Sequence, residues 1–297
     1  MSLPTEKRKP TPGMGKVLLY AEPKVGKSTL AATMDPEHTL VLDTENGTAA
    51  LEAFVHPIKS WSAITKEEPH VLRGDSFRGA IKALVDEEHD FTTAVVDTVD
   101  VLAQLCGDDV LRALGGQQAG FLHASDFDYG KGWSAITAEF QLRMGALCRA
   151  VPNVVFISHA DESVKQDRTG AEYKVYTPAL APKGVRNWLL GFVDHILFAE
   201  VVSGEAGEER VLRTQPTRSY QAGGRTPLGA PKLPDPLPLE GPALKAALEA
   251  LAAPARPAAK PKGSRSKPKP TNTAQEGEET PPAGDGGDGQ QTLGAAA

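Results

Sequence analysis

The chain of 297 residues carries a formal net charge of −6, and 40% of its residues are hydrophobic and 24% charged. This length and composition suffice for a sizeable core, in one large domain or two small ones. The charge argues against a protein that is basic throughout, as many bulk nucleic-acid binders are. No segment reaches the roughly 18 to 20 consecutive apolar residues that span a bilayer, and the N-terminus lacks a signal-peptide core. We therefore expect a cytoplasmic protein with no membrane partner.

Composition divides the chain into four segments. Both ends are rich in small and polar residues, which cannot bury enough apolar area to offset the entropy of ordering the chain. The predicted segments are a flexible N-terminal arm (1–13), a folded core (14–230), a Pro-rich linker with a short helix (231–252), and a disordered tail (253–297). The tail is basic up to residue 271 and acidic after it.

Short apolar runs alternate with helical patterns in the core, which predicts a mostly parallel, doubly wound α/β sheet with helices on both faces. The predicted strands are 16–21, 39–43, 93–97, 153–158 and 194–200, with an edge strand at 211–216. The predicted helices are 27–33, 77–88, 99–114, 133–150, 185–190 and 241–252. The connections 115–132 and 159–184 are long, as functional or mobile loops often are.

The stretch AEPKVGKST, residues 21–29, matches the phosphate-binding loop G-x-x-x-x-G-K-[ST] except that Ala21 replaces the first glycine. A predicted strand precedes it and a predicted helix follows it, which is the context that the motif requires. Alanine can occupy the first position if its φ stays negative. We predict that ATP is bound by Ala21, Pro23, Val25, Gly26, Lys27, Ser28 and Thr29.

Three residue types in this loop explain the prediction. Gly26 lets the backbone approach phosphate oxygens, and the N–H groups at the helix start point toward them. Lys27 would bridge the outer phosphates, and the Ser28 hydroxyl would hold Mg²⁺. Asp97 ends an apolar strand and is the second expected magnesium residue, although an aspartate there can also simply cap the next helix.

The residue that follows Asp97 cannot be the catalytic base, so we expect the base elsewhere in the chain. Many AAA+ ATPases have glutamate there, but this sequence has Thr98. Glu45 follows the second strand and is our predicted base, because parallel strands bring their carboxyl ends to one sheet edge. The alternatives are that Glu45 is solvated or that its neighbours only form a turn. His159, which follows the fourth core strand, is predicted to contact the terminal phosphate, or else is an ordinary histidine.

The strand ends LDTEN, VVDTV and FISH together resemble the RecA-type core. Residues 16–229 more closely resemble phage-encoded RecA-like AAA-domain ATPases of recombination modules, which are related to single-strand annealing recombinases. The segments DYGKGW (128–133) and NWLLGFVDHILFAE (187–200) carry much of this likeness. The resemblance implies a homo-oligomeric ATPase that acts on single-stranded DNA, in the cytoplasm of a bacterial host. A single-stranded-DNA-binding protein is a further expected partner.

The same resemblance implies that a Lys-x-Arg-like element after the last strands contacts the nucleotide of a neighbouring subunit. The corresponding stretch SYQAGGRTPLG retains Arg225 but has Gly223 at the lysine position. Arg213 and Arg218 are alternatives for this contact between subunits. Each of the three can also be a solvated surface charge.

The segment 160–184 is a candidate DNA-binding loop. Its basic residues can follow a phosphate backbone while Tyr173 and Tyr176 stack on bases. The basic candidates are Lys165, Arg168, Lys174 and Lys183. Acidic residues of the same segment nearly cancel this charge, so a plain β-hairpin with a Thr-Gly turn is the alternative. The basic part of the tail is a second candidate for sequence-independent DNA binding.

Other functions fit parts of these observations. A replication helicase-like motor or a helicase loader would use the same core. A small-molecule P-loop kinase would need an arginine-rich lid, which the sequence does not show. An ATP-binding regulatory module with little turnover would be consistent with Ala21 and Gly223, which both depart from the expected motifs.

Overall fold

The computed structural model describes residues 14–62, 74–115, 123–204, 207–226 and 232–252. The predicted N-terminal arm and charged tail lie outside these residues. The described strands are β1 (Lys16–Ala21), β2 (Thr39–Asp43), β3 (Phe54–Pro57), β4 (Thr93–Asp97), β5 (Asn153–Gln166), β6 (Glu172–Pro178), β7 (His195–Gly204), β8 (Gly207–Arg213), β9 (Gly223–Gly224) and β10 (Leu237–Pro238). The described α-helices are α1 (Lys27–Ala32), α2 (Phe77–Asp86), α3 (Val99–Gly115), α4 (Lys131–Ala150), α5 (Lys183–Phe192) and α6 (Gly241–Ala252).

The main sheet has the strand order β10-β8-β7-β1-β5-β4-β2-β3 within the described ranges. Neighbours from β7 to β3 are parallel, and β8 and β10 extend the sheet with antiparallel pairs. Parallel strands need crossover connections, and α1, α2, α3 with α4, and α5 lie in the connections that lead to β2, β4, β5 and β7. The prediction of a mostly parallel, doubly wound α/β sheet is confirmed.

Side chains of the central strands alternate between two apolar clusters, as strand geometry requires. In β1, Leu18 packs in the cluster that contains residues of α2, α3, α4 and α5. Val17 and Leu19 pack in the cluster that contains residues of α1 and α6. Helices therefore cover both faces of the sheet, and the strand ends are the places where polar side chains can gather.

The segment 160–178 forms a β-hairpin. The alternating sequence of this segment had indicated a hairpin as the alternative to a DNA-binding loop. β5 continues past the main sheet and pairs with β6 from Ala160–Pro178 to Gln166–Glu172. The turn is stabilised by the Asp167 carboxylate, which accepts hydrogen bonds from Thr169 and Ala171. Gly170 adopts a φ of 84°, which a glycine tolerates best. We refer to residues 160–178 as the β5–β6 hairpin.

Residues 232–252, predicted to be a linker with a short helix, pack against the core. β10 pairs with β8, and Leu244, Leu248 and Leu251 of α6 are buried in the cluster with α1. Gly241 makes the close approach possible, because a Cβ there would lie 2.6 Å from the Leu30 carbonyl oxygen. The helix predicted for this segment is present, and the segment before it contributes a strand to the sheet.

No helix in the described part of the chain is long and apolar enough to cross a membrane.

The core makes a prediction about stability. Phe140 of α4 is fully buried and packs against Trp61 and Trp188, with ring centroids 6.1 Å away in both pairs. We expect Phe140→Ala to lower the free energy of unfolding by about 3–5 kcal/mol, because it removes a buried ring and leaves a cavity. Leu142→Ala on the same helix is the matched control, since Leu142 is 55% exposed. Urea unfolding measures both, and equal losses would contradict the assignment of this core.

Candidate nucleotide-binding site

Polar residues of four neighbouring strands meet at the carboxyl edge of the sheet. The register pairs Ala21 at the end of β1 with His159 on β5, and Asp43 at the end of β2 with Asp97 at the end of β4. The strand ends that carry the phosphate loop, Asp97 and His159 therefore lie side by side. Ligands of open parallel sheets bind at this edge.

The phosphate loop turns without strain at its first residue. Ala21 is buried, and it is not among the described non-glycine residues with positive φ, which are Lys24, Asn46 and Tyr129. The left-handed conformations that the loop needs fall on Lys24, with a φ of 64°, and on Gly26, with a φ of 112°. Alanine is therefore compatible with the first position of this loop.

Lys27 is held inside the loop. Its ammonium donates to the carbonyl oxygens of Ala21 at 3.1 Å and Glu22 at 2.9 Å, and the residue is 6% exposed. Burial lowers the pKa of the Lys27 ammonium, while the negative charges of Asp97, Asp100 and Glu45 raise it. The carbonyl contacts place the positive charge at the sheet edge, where phosphate oxygens could replace them.

Asp97 has the properties of a magnesium residue. Its carboxyl is 5% exposed, its side chain hydrogen-bonds Ser28, and its Oδ2 atom is buried with no hydrogen-bond partner among the described residues. Burial raises the pKa of Asp97, the Ser28 bond lowers it, and the charges of Asp43 and Glu45 raise it further. A divalent cation would offset this unfavourable concentration of negative charge.

The donor set fits Mg²⁺ rather than a metal that needs several protein ligands. Mg²⁺ keeps several waters and is commonly held by one or two protein oxygens together with phosphate. In the described ranges there is no group of three or more His, Cys, Asp or Glu residues that could hold a metal. Ser28 and Asp97 would hold Mg²⁺, which would neutralise phosphate charge when bound.

Asp43 shapes the loop that presents Glu45. The Asp43 carboxylate accepts hydrogen bonds from the backbone N–H groups of Glu45 at 3.0 Å, Gly47 at 3.3 Å and Thr48 at 3.2 Å. These bonds bend the chain directly after β2. Asp43 is therefore a buried turn residue, and Glu45 is free to point into the site.

Thr98 orients Glu45. The Thr98 hydroxyl donates to Glu45 Oε1 at 2.8 Å, and the same carboxylate oxygen lies 4.0 Å from His159 Nδ1. Glu45 keeps a side-chain exposure of 37%, so water can reach it. The residue after Asp97 thus takes part in the site, as a support for a glutamate that comes from the neighbouring strand.

His159 is fixed by a buried carboxylate that the sequence did not reveal. Asp100 accepts from the Ser158 hydroxyl and from the His159 backbone N–H, each at 2.6 Å, and its Oδ2 lies 3.2 Å from His159 Nδ1. Burial raises the pKa of Asp100, and the bonds from Ser158 and His159 lower it. Asp100 lies three residues after Asp97, in the first turn of α3, and this closeness to the end of β4 could have indicated it.

A cavity of about 550 Å³ brings most of the predicted residues together. Those that line it are Pro23, Gly26, Lys27, Ser28, Thr29, Glu45, Asp97 and His159. The side chains of Ala21 and Val25 are instead buried in the core, so these two can offer a ligand only their backbone. Arg210 of β8 also lines the cavity. The predicted strand began one residue later, at 211, and so missed it.

The arginines predicted to reach a neighbouring subunit are paired within their own chain. Arg213 donates to Glu200 at 2.6 Å, and Arg225 donates to Asp194 at 3.1 Å and to the Gly191 carbonyl. Arg218 lies 3.8 Å from Asp167 and 4.9 Å from the centroid of the Tyr173 ring. None of the three lines the nucleotide cavity.

The predicted DNA-binding residues separate into two groups. Lys174 pairs with Glu162 at 3.0 Å, and Tyr176 stacks on Phe198 with ring centroids 5.3 Å away. These contacts hold the base of the β5–β6 hairpin. Lys165 and Arg168 of the hairpin and Lys183 of α5 are exposed, and in the described residues they have no ion-pair partner.

Comparisons with known proteins identify the family of the chain. A family model described as an AAA domain matches residues 15–226. The chain belongs to this family. Among the solved structures that match is the flagellar accessory protein FlaH from Methanocaldococcus jannaschii, which is 8% identical, with a TM-score of 0.33 over 68% of this chain and 78% of that chain. Among curated proteins, none matches the sequence.

The AAA-domain family and the phosphate loop together support a nucleotide-binding P-loop ATPase. The geometry gives each part of hydrolysis a candidate residue. Lys27 would contact the outer phosphates, Glu45 would accept a proton from the attacking water, and His159 would contact the terminal phosphate. Asp100 is a positioning residue, because it acts only through His159.

Lys27→Ala should weaken ATP binding by at least about tenfold, because the loop loses its charged donor to the phosphates. Titration calorimetry with Mg²⁺ and ATP measures the change. Lys82→Ala, on the exposed surface of α2, is the matched control and should bind as the unaltered protein does. Unchanged affinity of Lys27→Ala would show that the ligand does not use this loop.

Glu45→Gln should keep ATP affinity within about threefold but lower kcat by about 10²–10⁴-fold, since an amide cannot accept the proton from water. The measurements are ATP binding and steady-state phosphate release. Glu88→Gln, an exposed residue after α2, serves as the control. Normal turnover by Glu45→Gln would mean that another group is the base.

Proposed function

We propose that the protein is a RecA-like ATPase that acts on single-stranded DNA in phage-type homologous recombination or annealing, as a homo-oligomer. The observation that carries the proposal is the continuity of β5. The strand places His159 beside the nucleotide cavity and continues without a break into the β5–β6 hairpin, which carries Lys165. A ligand that moves His159 would therefore also act on the hairpin.

Hydrogen bonds and ring contacts hold the base of the hairpin against the main sheet, which favours the transmission of such a movement. The Tyr20 hydroxyl of β1 donates to the Gln221 carbonyl at 2.7 Å and accepts from the Gln221 N–H at 2.8 Å. Phe198 of β7 stacks on Tyr176 and on Tyr220, at centroid distances of 5.3 and 4.9 Å. The aromatic contacts join the hairpin to the strands beside the phosphate loop.

The basic side chains that could contact DNA lie away from the base of the hairpin. Lys165 and Arg168 are at the far end of the hairpin, and Lys183 begins α5. Their charges are not satisfied by acidic partners in the described part of the chain, whereas that of Lys174 is. Unpaired lysine and arginine side chains on a projecting element suit the phosphate backbone of a single strand.

Assembly into an oligomer is part of the proposal. Arg225 lies at the amino end of β7, at the sheet edge opposite the nucleotide cavity, and its side chain is 63% exposed despite its contact with Asp194. A head-to-tail arrangement of subunits would bring this edge of one subunit to the nucleotide edge of the next. Such an arrangement would let Arg225 exchange its partner in its own chain for a phosphate.

The proposal is tested by ATP hydrolysis without DNA, with single-stranded DNA and with duplex DNA, at one low salt concentration. We expect single strands to stimulate hydrolysis several-fold. A Lys165→Ala/Arg168→Ala variant should lose this stimulation and keep the DNA-free rate, because the hairpin tip lies away from the cavity. The matched control is Lys82→Ala/Arg149→Ala, which removes one exposed lysine and one exposed arginine from helices.

Two results would count against the proposal. An ATP hydrolysis rate that neither single-stranded nor duplex DNA changes would favour an ATP-binding regulatory module. Stimulation that the hairpin variant retains in full would move the DNA contact to another surface.

A further inference from the structure

A second cavity adjoins the nucleotide cavity on the side of α1 and α6. Its volume is about 330 Å³, and it shares Gly26, Thr29 and Arg210 with the larger cavity. Its remaining lining residues are Leu30, Thr33, Leu239, Glu240, Gly241 and Pro242. A ligand held by its phosphates at the loop would therefore have a continuous path into this second space.

One wall of the second cavity comes from chain beyond residue 226, where the family match ends. This wall is fixed by main-chain contacts. The Leu239 N–H donates to the Arg210 carbonyl at 3.2 Å, and the Leu244 N–H donates to the Glu240 carbonyl at 3.0 Å. Gly241 lies against the backbone of α1, where a Cβ would not fit. These contacts are all within the chain and need no ligand to form.

The lining suits an organic group rather than more phosphate. Leu239 and Pro242 offer apolar surface, which matches the faces of a nucleobase. The Glu240 carboxylate is exposed and can only accept hydrogen bonds when ionised, so it suits ribose hydroxyls and repels phosphate. The change from cationic loop to apolar wall follows the change from phosphate to nucleoside within a nucleotide.

Arg210 lies where the two cavities meet. Its Nη1 atom is 3.5 Å from the position that a Cβ on Gly26 would occupy. Unlike Arg213, Arg218 and Arg225, its guanidinium has no acidic partner in the part of the chain that the structure describes. A guanidinium at this junction can contact the phosphate nearest the ribose or lie flat on the base.

We infer that the second cavity binds the nucleoside part of the nucleotide, and that Arg210, Leu239 and Pro242 are its contact residues. The inference rests on the proposed nucleotide function, and it gives residues 232–242 a direct role in ligand binding. It distinguishes a nucleoside triphosphate from a bare polyphosphate as the ligand of this protein.

The test compares two ligands, ATP and inorganic tripolyphosphate, each with Mg²⁺, by titration calorimetry on the full chain. The unaltered protein should bind ATP at least tenfold more tightly than tripolyphosphate. Leu239→Trp should fill the second cavity, raise the Kd for ATP at least tenfold, and change the Kd for tripolyphosphate by less than twofold. Leu142→Trp, at an exposed position of α4, is the matched control and should leave both constants unchanged.

Pro242→Trp guards against a folding defect, because Pro242 is exposed and also lines the second cavity. It should show the same selective loss of ATP affinity, with a thermal melting temperature close to that of the unaltered protein. Arg210→Ala should weaken ATP about tenfold, and tripolyphosphate less, because the guanidinium stands at the ribose end of the phosphates.

The inference is overturned if the unaltered protein binds tripolyphosphate as tightly as ATP, or if both tryptophan variants bind ATP normally. Those results leave the proposed ATPase intact, provided that Lys27→Ala still weakens ATP binding at least about tenfold. Loss of tripolyphosphate binding in parallel with ATP binding would also overturn it, since the residues would then act on the phosphate loop. Binding that is indifferent to Lys27→Ala would instead refute the nucleotide site itself.

Discussion

The parallel pairing of β1, β5, β4 and β2 is the constraint on which the site depends. Because the strands run in one direction and in register, they bring the phosphate loop, His159, Asp97 and Asp43 to a single edge. Apolar residues on both faces of these strands hold that register, since a slip of one residue would turn every buried side chain to the wrong face. The chemistry at the edge is thus set by packing far from it.

Four acidic side chains lie close together at this edge, and their different partners explain how they can coexist. Asp43 is occupied by backbone N–H groups and Asp100 by Ser158 and His159. Asp97 retains a buried oxygen with no hydrogen-bond partner among the residues that the structure describes, and Glu45 retains exposure to water. The first two acids build the site and the last two remain available to a cation and to a reacting water. Lys27 is the buried positive charge among them, which limits their mutual repulsion.

Local patterns predicted the central strands and the phosphate loop, because each depends on short-range rules. The bounds of β1, β2 and β4 agree with the apolar runs that predicted them. The roles of Thr98 and Asp100 could not be read in this way, since both depend on side chains from neighbouring strands. Arg210 was missed for a related reason: only the pairing of β8 with β7 brings it over the loop. Contacts across strands need the fold before they can be seen.

The β5–β6 hairpin and the second cavity lie on opposite faces of the sheet, and the phosphate loop lies between them. Tyr20 follows Leu18 by two residues, so it points to the face covered by α2 to α5, where it meets the base of the β5–β6 hairpin. Gly26, only a few residues later, borders the second cavity on the face covered by α1 and α6. One short loop therefore contacts the hairpin through the strand that precedes it and the nucleoside cavity through the helix that follows it. A ligand that fills both cavities would press on both faces through this loop, whereas a bare phosphate would not reach the wall formed by α6. In the proposed function, β1 and the phosphate loop that follows it would therefore couple the identity of the nucleotide to the position of the hairpin.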